Sequence, residues 1–193
     1  MIKEYFFPTI IYIKDLPNAN ELNPYLEKHI IEWSKQDRGM SKTNMNGWHS
    51  QTDMNQIKEY EPLIKELFQM QKELIQEEYL DMEPKLGNMW ANINPPGGYN
   101  NSHIHPNSLF SGVYYIKGQP NSGRLSLMEP RPGAQQCMPT RKKGELPRDL
   151  WRETYYNPVP GRLIMFPSWM WHKVEPNKSN DIRISVSFNF ILF

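Results

Sequence analysis

The spacing of apolar residues divides the chain into two halves of different texture. From Asn20, the run NELNPYLEKHIIEWSKQ places Leu22, Tyr25, Leu26, His29, Ile30 and Trp33 three and four apart, which predicts a helix with one buried stripe. From Tyr60, YEPLIKELFQMQKELIQEEYL repeats that spacing with Leu63, Ile64, Leu67, Met70, Leu74 and Ile75, and Glu61 and Pro62 suit a first turn. Stripes of this kind are core faces, and His29, on the edge of the first, is read as structural. Ahead of both, Tyr5 to Ile13 has the composition of a strand.

Beyond about residue 83 the pattern changes to short apolar or alternating runs broken by Pro and Gly. These predict strands near 86–94, 109–117, 123–128, 155–156, 161–166 and 182–192. With two helices outside and no alternation of strand and helix, the expected fold is mainly β with flanking α-helices, an antiparallel sandwich or barrel. At 193 residues the chain fits one domain, with 1–83 supplying a strand and two supporting helices and 84–193 the barrel. The charged stretch RKKGELPRDLWRE, 141–153 within a loop from about 130, reads as an insertion able to cover the barrel mouth.

Period two assigns the strand faces. In IRISVSFNFILF, Ile182, Ile184, Val186, Phe188, Phe190 and Leu192 form one apolar face, while Arg183, Ser185, Ser187 and Asn189 form the other. In NMWANINPP, Met89, Ala91 and Ile93 oppose Trp90, Asn92 and Asn94. Asparagine is depleted in strands because its side chain competes for the backbone, so three of them on two strands call for a polar-lined cavity.

Composition narrows the function by exclusion. Lys plus Arg total 22 against 21 Asp plus Glu, a net charge of +1, which gives no electrostatic reason to expect a nucleic-acid partner. Cys137 is alone, so no internal disulfide can form. The start MIKEYFFPTIIYIKD lacks the pattern of a cleaved leader, and no run approaches a membrane span. The expectation is a soluble, cytoplasmic protein with no membrane partner, with a homodimer as one candidate assembly.

The chemistry centres on histidine. NSHIHPNSLFSGVYY carries His103 and His105 two apart, which on an extended chain point to one side, and PGRLIMFPSWMWHKVEPN presents His172 after a glycine turn, a strand and Pro167. Imidazole is a common ligand for Zn, Fe, Cu and Ni, and three ligands from two strand ends would leave coordination positions open. On the polar strand face, Arg183 would need an anion if buried, and neither inner face contains a carboxylate to serve it.

The order HxH, a glycine-initiated strand ending in Pro, a His, then Arg eleven residues later with Ser two beyond, resembles the Fe(II)/2-oxoglutarate-dependent oxygenases. More closely, NPPGGYNNSHIHPNSLFSGVYYI, FPSWMWHKVEPN and RISVSFN resemble a group of such oxygenases from bacteria and marine phages, which also shows a GW-S element like Gly47 to Ser50. The resemblance runs from about Asn46 to Asn189. It implies a double-stranded β-helix of jelly-roll or cupin-like form, with Fe(II), 2-oxoglutarate as co-substrate and O2, and ascorbate as a possible reductant. It also implies a small-molecule or peptidyl substrate, hydroxylated with release of succinate and CO2.

Carried over by position, His103 and His172 fall on the family's histidine ligands. His105 falls where most members have Asp or Glu, and Glu129 is a candidate to supply a carboxylate instead. Arg183 falls on the arginine that pairs with the distal carboxylate of 2-oxoglutarate, and Ser185 on its hydrogen-bonding neighbour. Asn92 and Tyr114 are further candidates for the co-substrate, and Asn94, Trp90, Trp48 and Asn189 for the substrate, with core packing the competing reading for the tryptophans. Three histidines also suit a cupin-type metalloenzyme without 2-oxoglutarate, or a metal- or sugar-binding module without turnover; Arg183 with Ser185 separates these from the oxygenase.

Overall fold

A computed structural model describes residues 1–137 and 139–192. Two antiparallel sheets face each other. The larger has the order β1-β9-β6-β11-β4-β3 and the smaller β2-β5-β10-β7-β8. The larger is built from β1 (Tyr12–Asp15), β3 (Trp48–His49), β4 (Lys85–Asn94), β6 (Phe110–Lys117), β9 (Arg162–Pro167) and β11 (Arg183–Ile191). The smaller contains β2 (Asn44–Met45), β5 (Tyr99–His103), β7 (Leu125–Met128), β8 (Glu153–Tyr156) and β10 (His172–Val174).

Alternation along the strands gives the larger sheet two different faces. Met89, Ala91, Phe110, Tyr114, Leu163, Met165, Ile184, Val186, Phe188 and Phe190 belong to one core with the stripes of α1 (Ala19–Gln36) and α2 (Glu61–Glu77). The intervening residues turn inward: Val113, Tyr115, Ile164 and Phe166 join Leu125, Leu127 and Met170 in a second cluster between the sheets. The two helices thus seal the outer face, and the inner face is left to enclose a cavity.

The helices form where the apolar spacing predicts them, with one exchange on α1. Tyr25 is exposed and its ring lies 4.5 Å from that of His29. Asn23 is buried instead, because its Oδ1 accepts a 2.6 Å hydrogen bond from the Tyr114 hydroxyl. The strand expected over Tyr5 to Ile13 is confined to Tyr12–Asp15, which pairs with β9. Pro8 cannot donate to a ladder, and Tyr5, Phe6 and Phe7 are exposed. Strands β2, β3, β5 and β10 are short and polar, and none has a run long enough to show a period.

The insertion carries a short helix, α3 (Pro132–Gln136), and a 3-10 turn at Arg148–Leu150; Met138 lies outside the described residues. Pro139, Arg141, Leu146, Leu150 and Trp151 line a separate surface hollow beside β8. None of the described residues of the insertion lines the inter-sheet cavity. Among the described residues no helix is long and apolar enough to cross a membrane.

Gly112 sits in the middle of β6, opposite Phe188 and Met165. An added Cβ would collide with the Phe188 ring and stand 2.8 Å from the Ile164 carbonyl oxygen. Gly112→Ala is therefore expected to lose about 1–3 kcal/mol of stability through overpacking, measured as a lowered urea midpoint. An unchanged midpoint would show that the sheet yields there freely.

Candidate metal and co-substrate site

The cavity between the sheets has a volume of about 390 Å³ and collects His103, His105 and His172 with Arg183, Ser185, Asn92 and Trp90 on its walls. His103 ends β5 and His172 opens β10; the two are directly paired across the ladder, which brings their ring centroids to 4.2 Å. His105 follows β5 in a turn held by its backbone N–H donating to Ser168 O at 3.0 Å. One ligand atom from each of the three imidazoles lies within 4.8 Å of the others.

Local backbone geometry fixes how these rings present themselves. His103 Nδ1 is 2.7 Å from Asn101 O, and His172 Nδ1 is 2.9 Å from Met170 O. A carbonyl can only accept, so both Nδ1 atoms carry the proton and both Nε2 atoms keep a bare lone pair. His172 Nε2 stands 3.2 Å from His105 Nε2. Two nitrogens bound at a right angle to one ion at about 2.1 Å are about 3 Å apart. Burial pushes the imidazoles away from the charged form, His105 down to about 4 and His172 to about 3, with neighbouring imidazoles adding to the shift. Three neutral imidazoles with two tautomers fixed by carbonyls therefore fit a divalent transition metal.

Arg183 is the other marked feature. It is 1% exposed, and one terminal guanidinium nitrogen donates to Ser122 O at 3.0 Å and Gly123 O at 2.9 Å. Among the described residues its buried Nε has no partner, and no Asp or Glu lines the cavity. Desolvation lowers its pKa to about 10. Taking such a charge from water costs several kcal/mol unless an opposite charge meets it, so the residues present fit a small dianion such as 2-oxoglutarate. Tyr115 lies alongside, its hydroxyl pushed up to about 12 by burial, with Arg183 acting against that shift.

Several expected site residues are placed elsewhere. Tyr114 is fully buried in the helix-side core and donates to Asn23; Tyr115 takes the cavity position, because it lies opposite Ser185 on β11. Trp48 packs edge-on against Trp33 at 5.6 Å, with its Nε1–H on Asp37 O, and is not a cavity residue. Asn94 is buried beside Asn100, to whose Oδ1 its amide donates at 3.4 Å, and also lies outside the lining. Asn189 lines the cavity as a brace: its Oδ1 accepts from Ser111 and its Nδ2 donates to Asn88 Oδ1. Glu129 forks onto Arg131 at 2.7 and 2.8 Å and is not part of the histidine group.

Sequence reasoning passes over His49, which lines the cavity with its ring stacked on Trp90 at 5.5 Å and 8°. Its signal is register: β3 is two residues long, and only its pairing shows that His49 stands opposite cavity-facing Asn92.

The architecture is that of a double-stranded β-helix carrying a three-histidine cluster and a buried arginine. The family model described as "Putative 2OG-Fe(II) oxygenase" matches residues 88–189, more than half of the chain, and the protein belongs to that family of Fe(II)- and 2-oxoglutarate-dependent oxygenases. The fold is shared with a prolyl-4-hydroxylase of Pseudomonas putida, at 18% identity and a TM-score of 0.64 over 96% of this chain and 94% of that one. It is also shared with the prolyl hydroxylase of Trichoplax adhaerens solved with a hypoxia-inducible-factor peptide, at 14% identity and a TM-score of 0.63 over 94% and 83% of the two chains. A third similar structure is HygX of Streptomyces hygroscopicus, with nickel, 2-oxoglutarate and hygromycin B bound, at 8% identity and a TM-score of 0.64 over 94% and 82%. No curated protein sequence matches the chain.

The geometry predicts one metal ion per chain. His172→Ala and His105→Ala should each weaken Zn(II) or Co(II) binding at least tenfold, about 1.4 kcal/mol, by calorimetric titration. Parental affinity in His105→Ala would remove that residue from the ligand set.

Proposed function

We propose that His103, His105 and His172 hold Fe(II), and that Arg183 and Ser185, with the Tyr115 hydroxyl, receive the distal carboxylate of 2-oxoglutarate, while Asn92 flanks the co-substrate. The observation that carries this reading is Arg183, a cation shut into the wall of the same cavity as the histidines with no carboxylate to meet it. When bound, Fe(II) supplies the redox chemistry that couples oxidative decarboxylation of 2-oxoglutarate to attack on a C–H bond. The balance is substrate C–H, 2-oxoglutarate and O2 to substrate C–OH, succinate and CO2. Ascorbate serves as an external reductant that keeps the metal ferrous.

The chain's own part is binding and exclusion. Asn101 O and Met170 O hold two imidazoles with Nε2 turned to the metal position. Gly123 lets the backbone approach the arginine: an added Cβ would lie 2.7 Å from Arg183 Nη1. Phe166, 4.9 Å from the His172 ring and edge-on, and Val113, Leu125 and Val174 give the cavity an apolar wall that displaces water. The substrate is a small molecule or a peptidyl group entering beside Trp90.

Arg183→Met is expected to weaken 2-oxoglutarate binding to the metal-loaded protein by about 2–5 kcal/mol, the range for losing one partner of a buried charge pair. Metal content should be unchanged, and the unfolding midpoint of the metal-free protein should not fall, since an uncompensated buried charge has been removed. Equal binding by mutant and parent would take Arg183 out of the site.

With Fe(II), ascorbate and 2-oxoglutarate in air, the protein should release succinate slowly even without its substrate. Loss of both turnover and 2-oxoglutarate binding in metal-loaded protein would sink the proposal.

A further inference from the structure

The larger sheet carries one row of inward-facing residues across four strands. His49 on β3 stands opposite Asn92 on β4, Asn92 opposite Ser185 on β11, and Ser185 opposite Tyr115 on β6. Directly opposed residues share a face, so all four point into the cavity, as its lining records. Ser185 and Tyr115 form one end of that row, with Arg183 two residues along β11 on the same face. At strand spacings of about 4.8 Å, His49 lies two strands and about 10 Å from β11, on the edge strand beside Lys42 and Thr43 at the rim.

His49 is prepared as a hydrogen-bond acceptor. It is 5% exposed, and its Nδ1 is 2.6 Å from Ser50 O, which can only accept. The proton is therefore on Nδ1, and Nε2 carries a bare lone pair. No hydrogen-bond partner for that nitrogen exists among the described residues, and the ring is held flat on Trp90. Burial, first among the causes, holds the imidazole toward its neutral form. The arrangement of Nδ1 on a carbonyl and Nε2 toward the cavity repeats that of His103 and His172, yet His49 stands outside the group able to share an ion.

The charge of the walls selects among possible donors. Among the described residues the permanent charges on the lining are Arg183 and Lys42, both positive, and no Asp or Glu lines the cavity. With a divalent ion and 2-oxoglutarate bound, their opposite charges would offset each other. An ammonium or guanidinium group would still enter against the positive charge of Arg183 and Lys42, with no side-chain carboxylate to receive it. A neutral N–H or O–H meets the free lone pair without that cost.

We propose that His49 positions the substrate by accepting a hydrogen bond from a neutral donor, an amide N–H or an alcohol O–H, so that the substrate class is an amide- or hydroxyl-bearing molecule rather than an amine. This inference rests on the oxygenase reading of the same cavity.

The test uses the full chain loaded with Zn(II) and 2-oxoglutarate, whose binding is measured first, and follows the ring nitrogens of His49 by NMR. N-methylacetamide is compared with N,N-dimethylacetamide, which has no donor, ethylene glycol with its dimethyl ether, and methylammonium is the cationic arm. The expected result is that one donor-bearing probe moves the His49 Nε2 resonance and binds about fivefold tighter than its donor-free counterpart, the effect of one hydrogen bond. That difference should vanish in His49→Leu and persist in His49→Gln, which retains an acceptor; the probe that responds tells amide from alcohol.

Equal binding by the donor-free probes, an unmoved His49, a difference retained in His49→Leu, or methylammonium binding as tightly as the neutral probes would each overturn the proposal. If 2-oxoglutarate itself does not bind the Zn(II) protein, the oxygenase assignment of the cavity falls and this inference falls with it. If it binds and His49 does not respond, only the inference about His49 is lost.

Discussion

The arrangement of the site turns on a single uncompensated charge. Arg183 lies on the inward face of β11, the strand at the centre of the larger sheet, with 1% of its surface exposed and two backbone carbonyls as its acceptors. Carbonyls carry partial charge and satisfy hydrogen bonds, but they do not neutralise a cation. The fold tolerates this because β11 is the most thoroughly embedded strand, paired along its length with β4 and β6. Its other face, Ile184, Val186, Phe188 and Phe190, is locked into the helix-side core. Apolar burial on one side of the strand thus maintains an electrostatic deficit on the other, the deficit that the proposed dicarboxylate would meet.

The histidine cluster is organised by the same economy of backbone groups. Two carbonyls, Asn101 O and Met170 O, each two residues before their histidine, set the tautomers of His103 and His172. The proposed metal position therefore depends on the path of the chain at the ends of β5 and β10 as much as on the side chains. His105 falls where the resemblance places a carboxylate, and no acid is among the described residues that line the cavity. On the proposed reading, three neutral ligands would leave a bound ion its full double charge, and a dianionic co-substrate would bring the negative charge that an acidic ligand otherwise supplies.

What was readable in the sequence was whatever repeats. The helices and the longer strands β4, β6, β9 and β11 follow from apolar spacing, and the two faces of β11 follow from strict alternation from Arg183 to Phe190. The histidines and Arg183 stand out because their residue types are costly to bury without a ligand. The misplacements arise where period gives no answer. Tyr114 and Tyr115 are adjacent aromatics in a strand apolar on both sides, so only the pairing of Tyr115 with Ser185 decides which one faces inward. Trp48 and His49 form a strand of two residues, too short for a pattern, and the inward member is fixed by its partner Asn92. Asn94, one step further along the polar face of β4, is drawn to Asn100 near the cavity's end.

The strict division of β11 into two faces also bears on how such a protein can change over generations. A substitution at Ser187 alters the cavity wall while leaving the packing of Ile184, Val186 and Phe188 against the helices intact. A chain built this way can explore new substrates by single replacements with little threat to its folding. Insertion or deletion of one residue within the strand is the opposite case, because it would carry the arginine into the apolar core and the phenylalanines into the cavity. The lineage is therefore free to drift in chemistry and rigid in length at this strand.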